Sequence, residues 1–199
     1  MRRIILASTS PRRRELLTQL IGDNFEIVPS AYNELMDEEL ARPSQALQHA
    51  LGKGLDVATK YPDSVIIAAD TVVSSGGILL GKPAGKEDAM SMLRMISGRT
   101  VEVFTGIVVI DSGKGIEDTG IISTQVMMAN LSRQDIAAYV KTGEPIGKAG
   151  AFAIQGFGAV LVEKVEGDFF NVVGLPLFRL SQMLKKVGVD VFEIMQADS

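Results

Sequence analysis

The residues 6–17, LASTSPRRRELL, set Ser8, Ser10 and three consecutive arginines, Arg12, Arg13 and Arg14, where a helix should begin. Ser10 suits the N-cap and Pro11 the first turn. A helix start carries partial positive charge, so each cation in its first turn is unfavourable by up to ~1 kcal/mol. Two readings follow. In one, the turn is exposed and Glu15 partly compensates the arginines. In the other, the serine hydroxyls, the free backbone N–H groups and the guanidinium forks converge on an anion, and the anion that matches them is a phosphate chain.

Further chemistry sits downstream. In AADTVV, Asp70 and Thr71 follow an apolar run, but the second aspartate of phospho-aspartate phosphatases is missing, because Val72 stands two residues on. Asp70 then reads as a metal ligand, as a base that orients water, or as a turn cap. GGILLGKP nearly matches a phosphate loop, yet Pro83 replaces the hydroxyl that would hold Mg²⁺ and Ile78, Leu79 and Leu80 read as a strand edge, which leaves Lys82 as a lone phosphate-facing cation. GEPIGKAGAFAIQGFG carries Glu144, Lys148 and Gln155 on a glycine-rich connection; Gln155 offers an amide to a base edge, unless the segment is only a cluster of turns. Lys53 lies off the centre of the apolar stripe Leu47, Ala50, Leu51, Leu55 and Ala58, so the pattern places it in solvent. Glu34 belongs to an acidic run that reads as exposed, and His49 reads as a surface helix residue.

The elements that must position these groups alternate. Apolar runs at 4–7, 25–28, 64–70, 101–110 and 158–167 read as strands, and residues 11–20, 43–60, 86–96, 132–141 and 176–187 read as helices. The interleaving indicates an α/β fold, with SVIIAAD as a central strand and Asp70 emerging at its C-terminal end. At 199 residues the chain can bury a sizeable core without staples. It has no Cys and a single His, which excludes a disulfide framework and a thiolate zinc site and makes a His-based triad a poor candidate. A net charge of -4 argues against a nucleic-acid partner. No apolar run reaches the roughly 18 residues of a membrane span, so a cytoplasmic protein is expected. Residues 188–199 are expected as a tail that ends in a frayed QADS.

Taken in order, ILASTSPRRRELL, Glu34, Lys53, IIAADTVV, LGKPAGKEDA, MLRMISGRTVEVFTG, GEPIGKAGAFAIQGFG and GDFFNVVGLPL resemble the Maf family of nucleoside triphosphate pyrophosphatases, over residues 4–187 as one domain. The resemblance implies hydrolysis of a nucleoside triphosphate between its α and β phosphates, with a divalent metal (Mg, Mn or Co). It implies an elongated mixed sheet flanked by helices around a central substrate groove, of the Maf and ITPase type, in a homodimer. By the same inference Ser8, Arg13, Lys53 and Lys82 hold phosphates, Glu34 and Asp70 hold the metal, and Asp70 is the proton acceptor. Arg12, Thr71 and Gln155 resemble the branch acting on dTTP and UTP, with CTP or modified pyrimidine nucleotides as further substrates. Glu102, Gly147 and Phe152 depart from the His, Asp and Tyr common in the family, and the Phe152 change implies looser recognition of base or sugar. The family's historical name suggests an alternative, a nucleotide-binding regulator of septum formation with little turnover.

Overall fold

Two long β-branched runs form the centre of the structure, because Val and Ile fit a pleated surface covered on both sides. The computed structural model describes residues 2–35 and 40–197. In chain order these form β1 (Arg3–Leu6), α1 (Pro11–Ile21), β2 (Glu26–Ile27), α2 (Arg42–Ala58), β3 (Ser64–Ser75), β4 (Ile78–Leu80), α3 (Lys86–Ile96), β5 (Thr100–Asp111) and β6 (Ile116–Met128). There follow α4 (Arg133–Lys141), two 3-10 segments (Ala149–Ala151 and Gly156–Leu161), β7 (Val162–Glu166), α5 (Phe169–Val173), α6 (Leu177–Lys186) and α7 (Val191–Ala197).

The seven strands make one mixed sheet in the order β2-β1-β3-β5-β6-β7, with β4 on the β1 side of β3. β1 runs parallel to Ser64–Ile67, whereas β4 runs antiparallel to Val73–Ser75. Along its other edge β3 pairs with β5 from Val65 to Ser74 without a break. One edge of β3 is therefore open between the two short strands, around residues 68–72, which leaves a notch in the sheet.

Side chains alternate across the strand, so Asp70 and Thr71 point to opposite faces of the sheet. Asp70 shares its face with Ile66 and Ala68, which pack with Ala50 and Val57 of α2. Thr71 shares the other with Val65, Ile67 and Ala69, which pack with Leu16 and Leu17 of α1 in the main core. The notch thus opens between α1 on one face and α2 on the other.

Several expectations change here. Asp70 does not end its strand: β3 continues to Ser75, and the strand that ends nearby is its shorter neighbour β1. β6 was not expected, because its first half is polar and mostly exposed and only Thr124, Val126 and Met128 turn fully inward. The strand expected over 158–167 is confined to Val162–Glu166, preceded by a 3-10 segment. Within the segment expected as a tail, residues 191–197 form α7, whose Val191 and Ile194 lie three apart and enter the core. The final two residues, 198 and 199, lie outside the described residues.

α2 lies close on the sheet because Gly106 of β5 has no side chain: a Cβ there would stand 2.4 Å from the Ala46 carbonyl oxygen and 2.5 Å from Leu47 Cα. Since backbone must give way, Gly106→Ala is expected to lower stability by about 1–3 kcal/mol in urea unfolding. Wild-type stability in that variant would show that α2 is free to ride higher on the sheet.

Candidate active site

The notch opens into a cavity of about 550 Å³ whose walls include Ser8, Arg12, Arg13, Glu34, Lys53, Asp70, Thr71 and Lys82. Eight of the nine site residues expected from the sequence therefore converge. The ninth, Gln155, is half-buried and directly follows the wall residue Ile154, but it is not itself on the wall.

The turn after β1 folds back on itself. The Ser8 N–H donates to the Leu6 carbonyl at 2.9 Å and the Ser10 N–H donates to Ser8 Oγ at 3.2 Å. Ser10 takes the N-cap position of α1 in extended conformation, but its side chain caps nothing. The first-turn N–H groups are thus left without a side-chain acceptor, as an anion site requires. Of the three arginines, Arg12 and Arg13 line the cavity, while Arg14 is exposed and lies away from it.

Arg13 is fixed from behind. Its Nε donates to the Gly174 carbonyl at 2.9 Å, one terminal nitrogen donates to Thr71 Oγ1 at 3.1 Å, and the other approaches Ser8 Oγ at 3.4 Å. Thr71 Oγ1 lies 2.9 Å from Thr105 Oγ1, which donates to the Asn171 carbonyl at 3.1 Å. Because Thr105 spends its one proton on Asn171, Thr71 donates to Thr105 and accepts from Arg13. Asn171 is pinned in turn by its amide bonds to the Val103 carbonyl and to Thr124 Oγ1. Thr71 therefore positions a cation rather than offering a free hydroxyl. The sequence shows no sign of this support, since Thr105, Thr124 and Asn171 are far apart in the chain.

Among the described residues, no carboxylate pairs directly with the cations on this side. Burial pushes the Arg13 guanidinium down, Asp70 opposes that shift and Arg12 adds to it. Burial also lowers Arg12, against the pull of Tyr139, Glu15 and Glu144. Lys148, a wall residue that the sequence reading did not place in the site, is lowered by burial and by Arg12. Its Nζ donates to the Glu144 carbonyl at 2.8 Å. The Glu144 carboxylate is occupied elsewhere, accepting from the Phe157 and Gly158 N–H groups at 3.1 and 2.7 Å and holding the 144–158 connection closed. Two departures from the family pattern, Gly147 and Phe152, line the same wall; the third, Glu102, accepts from Ser74 Oγ at 3.3 Å instead.

From the opposite face comes the acidic side of the site. Lys53 Nζ lies 2.6 Å from Asp70 Oδ1 and 2.6 Å from Glu34 Oε1. The pattern had placed Lys53 in solvent, yet only 9% of it is exposed, and His49, expected at the surface, is 2% exposed. The buried face of α2 runs Gln45, His49 and Lys53 beside Ala46, Ala50 and Val57, rotated from the apolar stripe because Lys53 finds two carboxylates underneath it. Leu55, expected on that stripe, is exposed instead. Burial works against the charge on Glu34, but the hydrogen bond and charge of Lys53, with the fields of Lys82 and His49, outweigh it and hold this carboxyl below its ordinary range. Lys82 follows β4, whose position is fixed where the Gly81 carbonyl accepts the Gly150 N–H at 3.1 Å.

Residues 3–187 match the family described as Maf-like protein. A relative from Methanosarcina mazei, named dTTP/UTP pyrophosphatase, is 53% identical over 97% of this chain and 98% of its own. Another of the same name, from Caldicellulosiruptor saccharolyticus, is 45% identical over 97% of this chain and 98% of its own. Among solved structures, a HAM1 protein from Coxiella burnetii superposes with a TM-score of 0.51 at 13% identity, over 94% of this chain and 100% of that one, a likeness of fold alone.

The pairing of Lys53 with Glu34 carries its own test. Lys53→Met removes the ammonium that favours the charged carboxylate, so the Glu34 carboxyl should titrate at higher pH than in wild type, as read by carboxyl-carbon NMR. An unmoved titration would show that Lys82 and His49 set it without Lys53.

Proposed function

The chain belongs to the Maf family, and from that premise we propose that it hydrolyses dTTP and UTP to the monophosphate and pyrophosphate. The observation that carries this reading is the division of one cavity into a cationic wall, Arg12, Arg13 and Lys148, and a wall where Asp70 and Glu34 grip Lys53. A triphosphate matches both. Its negative oxygens complete the buried cations, and the bond to be broken lies against the carboxylates. The relatives' shared name supports turnover over a purely regulatory nucleotide-binding role.

Asp70 and Glu34 are the groups that would hold a divalent cation. Among the described residues no cluster of three or more acidic or imidazole side chains exists for one. Two carboxylates nonetheless fit a hard ion such as Mg²⁺, Mn²⁺ or Co²⁺ that takes its remaining ligands from water and substrate phosphate. Bound there, the ion supplies Lewis-acid polarisation of a phosphoryl oxygen. The chain's own residues do the rest. Hydrolysis adds water across the α–β anhydride: the water oxygen bonds to phosphorus, the bridging P–O bond breaks with its electron pair leaving on pyrophosphate, and the water proton passes to Asp70. Lys53 engages Asp70 through Oδ1. Arg13, held by Gly174, Thr71 and Ser8, meets the developing phosphate charge without having to reorganise. Lys53 and Lys82 neutralise the rest of the phosphate chain.

Pyrimidine preference rests on Arg12, Thr71 and Gln155. An amide both donates and accepts, which matches the edge shared by thymine and uracil. Because Thr71 holds Arg13, its contribution to selectivity is indirect, through the position of that guanidinium. The same reading includes a homodimer and a cytoplasmic setting alongside the nucleotide pool. Phe178 and Phe192, each 73% exposed beside one apolar groove, supply surface that a second copy could bury. No helix among the described residues is long and apolar enough to cross a membrane.

Two outcomes check this function. With dTTP and Mg²⁺, wild type should release pyrophosphate and not orthophosphate, whereas Asp70→Asn should release neither and keep the wild-type circular dichroism spectrum; near-wild-type turnover in the variant would remove Asp70 from the reaction. Gln155→Ala should lower kcat/KM for dTTP and UTP by on the order of 10²-fold while leaving residual GTP hydrolysis nearly untouched. Equal losses on all three would assign Gln155 to the loop instead of the base.

A further inference from the structure

Glu34 is the one acidic site residue that no helix or strand holds. Residues 28–35 have no regular structure, and 45% of the Glu34 side chain is exposed. A carboxylate on such a segment reaches Lys53 reproducibly only if something nearby fixes the backbone, because ordering each residue costs about 1–2 kcal/mol of conformational entropy.

The segment is strapped to α2 at successive turns. Ser30 Oγ and the Ala31 N–H both donate to Asp56 Oδ2, at 2.9 and 2.8 Å, and the Tyr32 N–H donates back to Ser30 Oγ at 3.0 Å. One turn earlier on α2 the Tyr32 ring lies over Gly52 so closely that a Cβ at residue 52 would stand 2.3 Å from Cε2 and 2.5 Å from Cδ2 and Cζ. The ring also meets the buried His49 ring edge-on, with centroids 6.0 Å apart. Two residues past Tyr32, Glu34 closes on Lys53, the residue after Gly52. Glycine in a helix interior is disfavoured, and nothing in the φ of Gly52 requires it; the occupied space above it does.

We propose that the Tyr32 ring seated on Gly52 is a positioning clasp that delivers Glu34 to Lys53 and Asp70. This rests on the hydrolase reading above for its kinetic consequence. Gly52 does not line the cavity but Tyr32 does, so a change at Gly52 reaches the site through the Tyr32 ring, and a cycle with Glu34→Gln separates displacement of Glu34 from a direct loss of ring contact. The contact that makes the clasp is between the flat ring of Tyr32 and Gly52.

The test is a cycle of Gly52→Ala and Glu34→Gln, assayed on dTTP, with amide hydrogen exchange of residues 28–35 as a second readout. Gly52→Ala should cut kcat/KM on the order of 10- to 100-fold in the wild-type background and leave Glu34→Gln unchanged, because there is no longer a carboxylate to misplace. Its melting temperature should not fall, since alanine favours the helix. Tyr32→Phe, which keeps the ring, should leave exchange over 28–35 as in wild type, and Tyr32→Ala should quicken it as Gly52→Ala does. Exchange over 28–35 should quicken in Gly52→Ala and Tyr32→Ala only. Additive losses in the cycle, or unchanged exchange in Gly52→Ala, would overturn the clasp. A wild type without turnover on any nucleoside triphosphate would instead overturn the hydrolase reading, and exchange would still decide the clasp: faster exchange in Gly52→Ala upholds it and unchanged exchange ends it.

Discussion

The site depends on an interrupted strand edge. β3 is continuously hydrogen-bonded to β5 on one side, but on the other it meets β1 only at its start and β4 only at its end. Backbone N–H and C=O groups in a sheet interior are normally paired, so an open stretch is tolerable where water or a ligand can reach it. Here the opening also removes the barrier between the two faces of the sheet. Arg13 comes from α1 on one face, Lys53 from α2 on the other, and neighbouring residues of β3, Thr71 and Asp70, meet one each.

Electrostatics then divides the cavity. On the Asp70 face, Lys53 is paired with two carboxylates and its burial is compensated. On the Thr71 face, the half-buried Arg12, Arg13 and Lys148 crowd together, and among the described residues carboxylates reach them as fields rather than as ion pairs. Such a cluster weakens the empty protein and strengthens binding of a polyanion by the same amount, which answers the cost of cations at the start of α1. The neutral hydrogen-bond chain from Thr71 through Thr105 to Asn171 fixes Arg13 without cancelling its charge.

Local signals in the sequence lead to part of this. Ser8, Arg12 and Arg13 are legible because strand, turn and helix start are contiguous, and the cap chemistry of Ser10 and Pro11 marks the helix start. Asp70 is legible as a site residue but not as a mid-strand one, because the open edge is created by the shortness of β1 and β4, which the pattern of β3 does not encode. Lys53 and His49 read as surface groups since helical periodicity ranks them by polarity, whereas tertiary pairing with Glu34 and Asp70 and the ring of Tyr32 bury them. Lys148 is legible as part of the glycine-rich connection but not as a wall residue, and the Thr105–Asn171 support is invisible because its partners are distant in sequence. β6 escapes notice because half its length faces solvent. Glu34 and Lys53 enter the site from the sequence only through the family resemblance.

The central claim is that the half-buried cationic wall is completed by a polyphosphate. It is tested most directly by the melting temperature of the protein titrated with the α,β-imido analogue of dTTP, without divalent metal, in parallel with thymidine. Binding to the folded state raises stability by mass action. The account predicts a rise with the analogue that grows with its concentration and shrinks with added salt, and no rise with thymidine at the same concentrations. Equal rises with both, or none with the analogue, would contradict it.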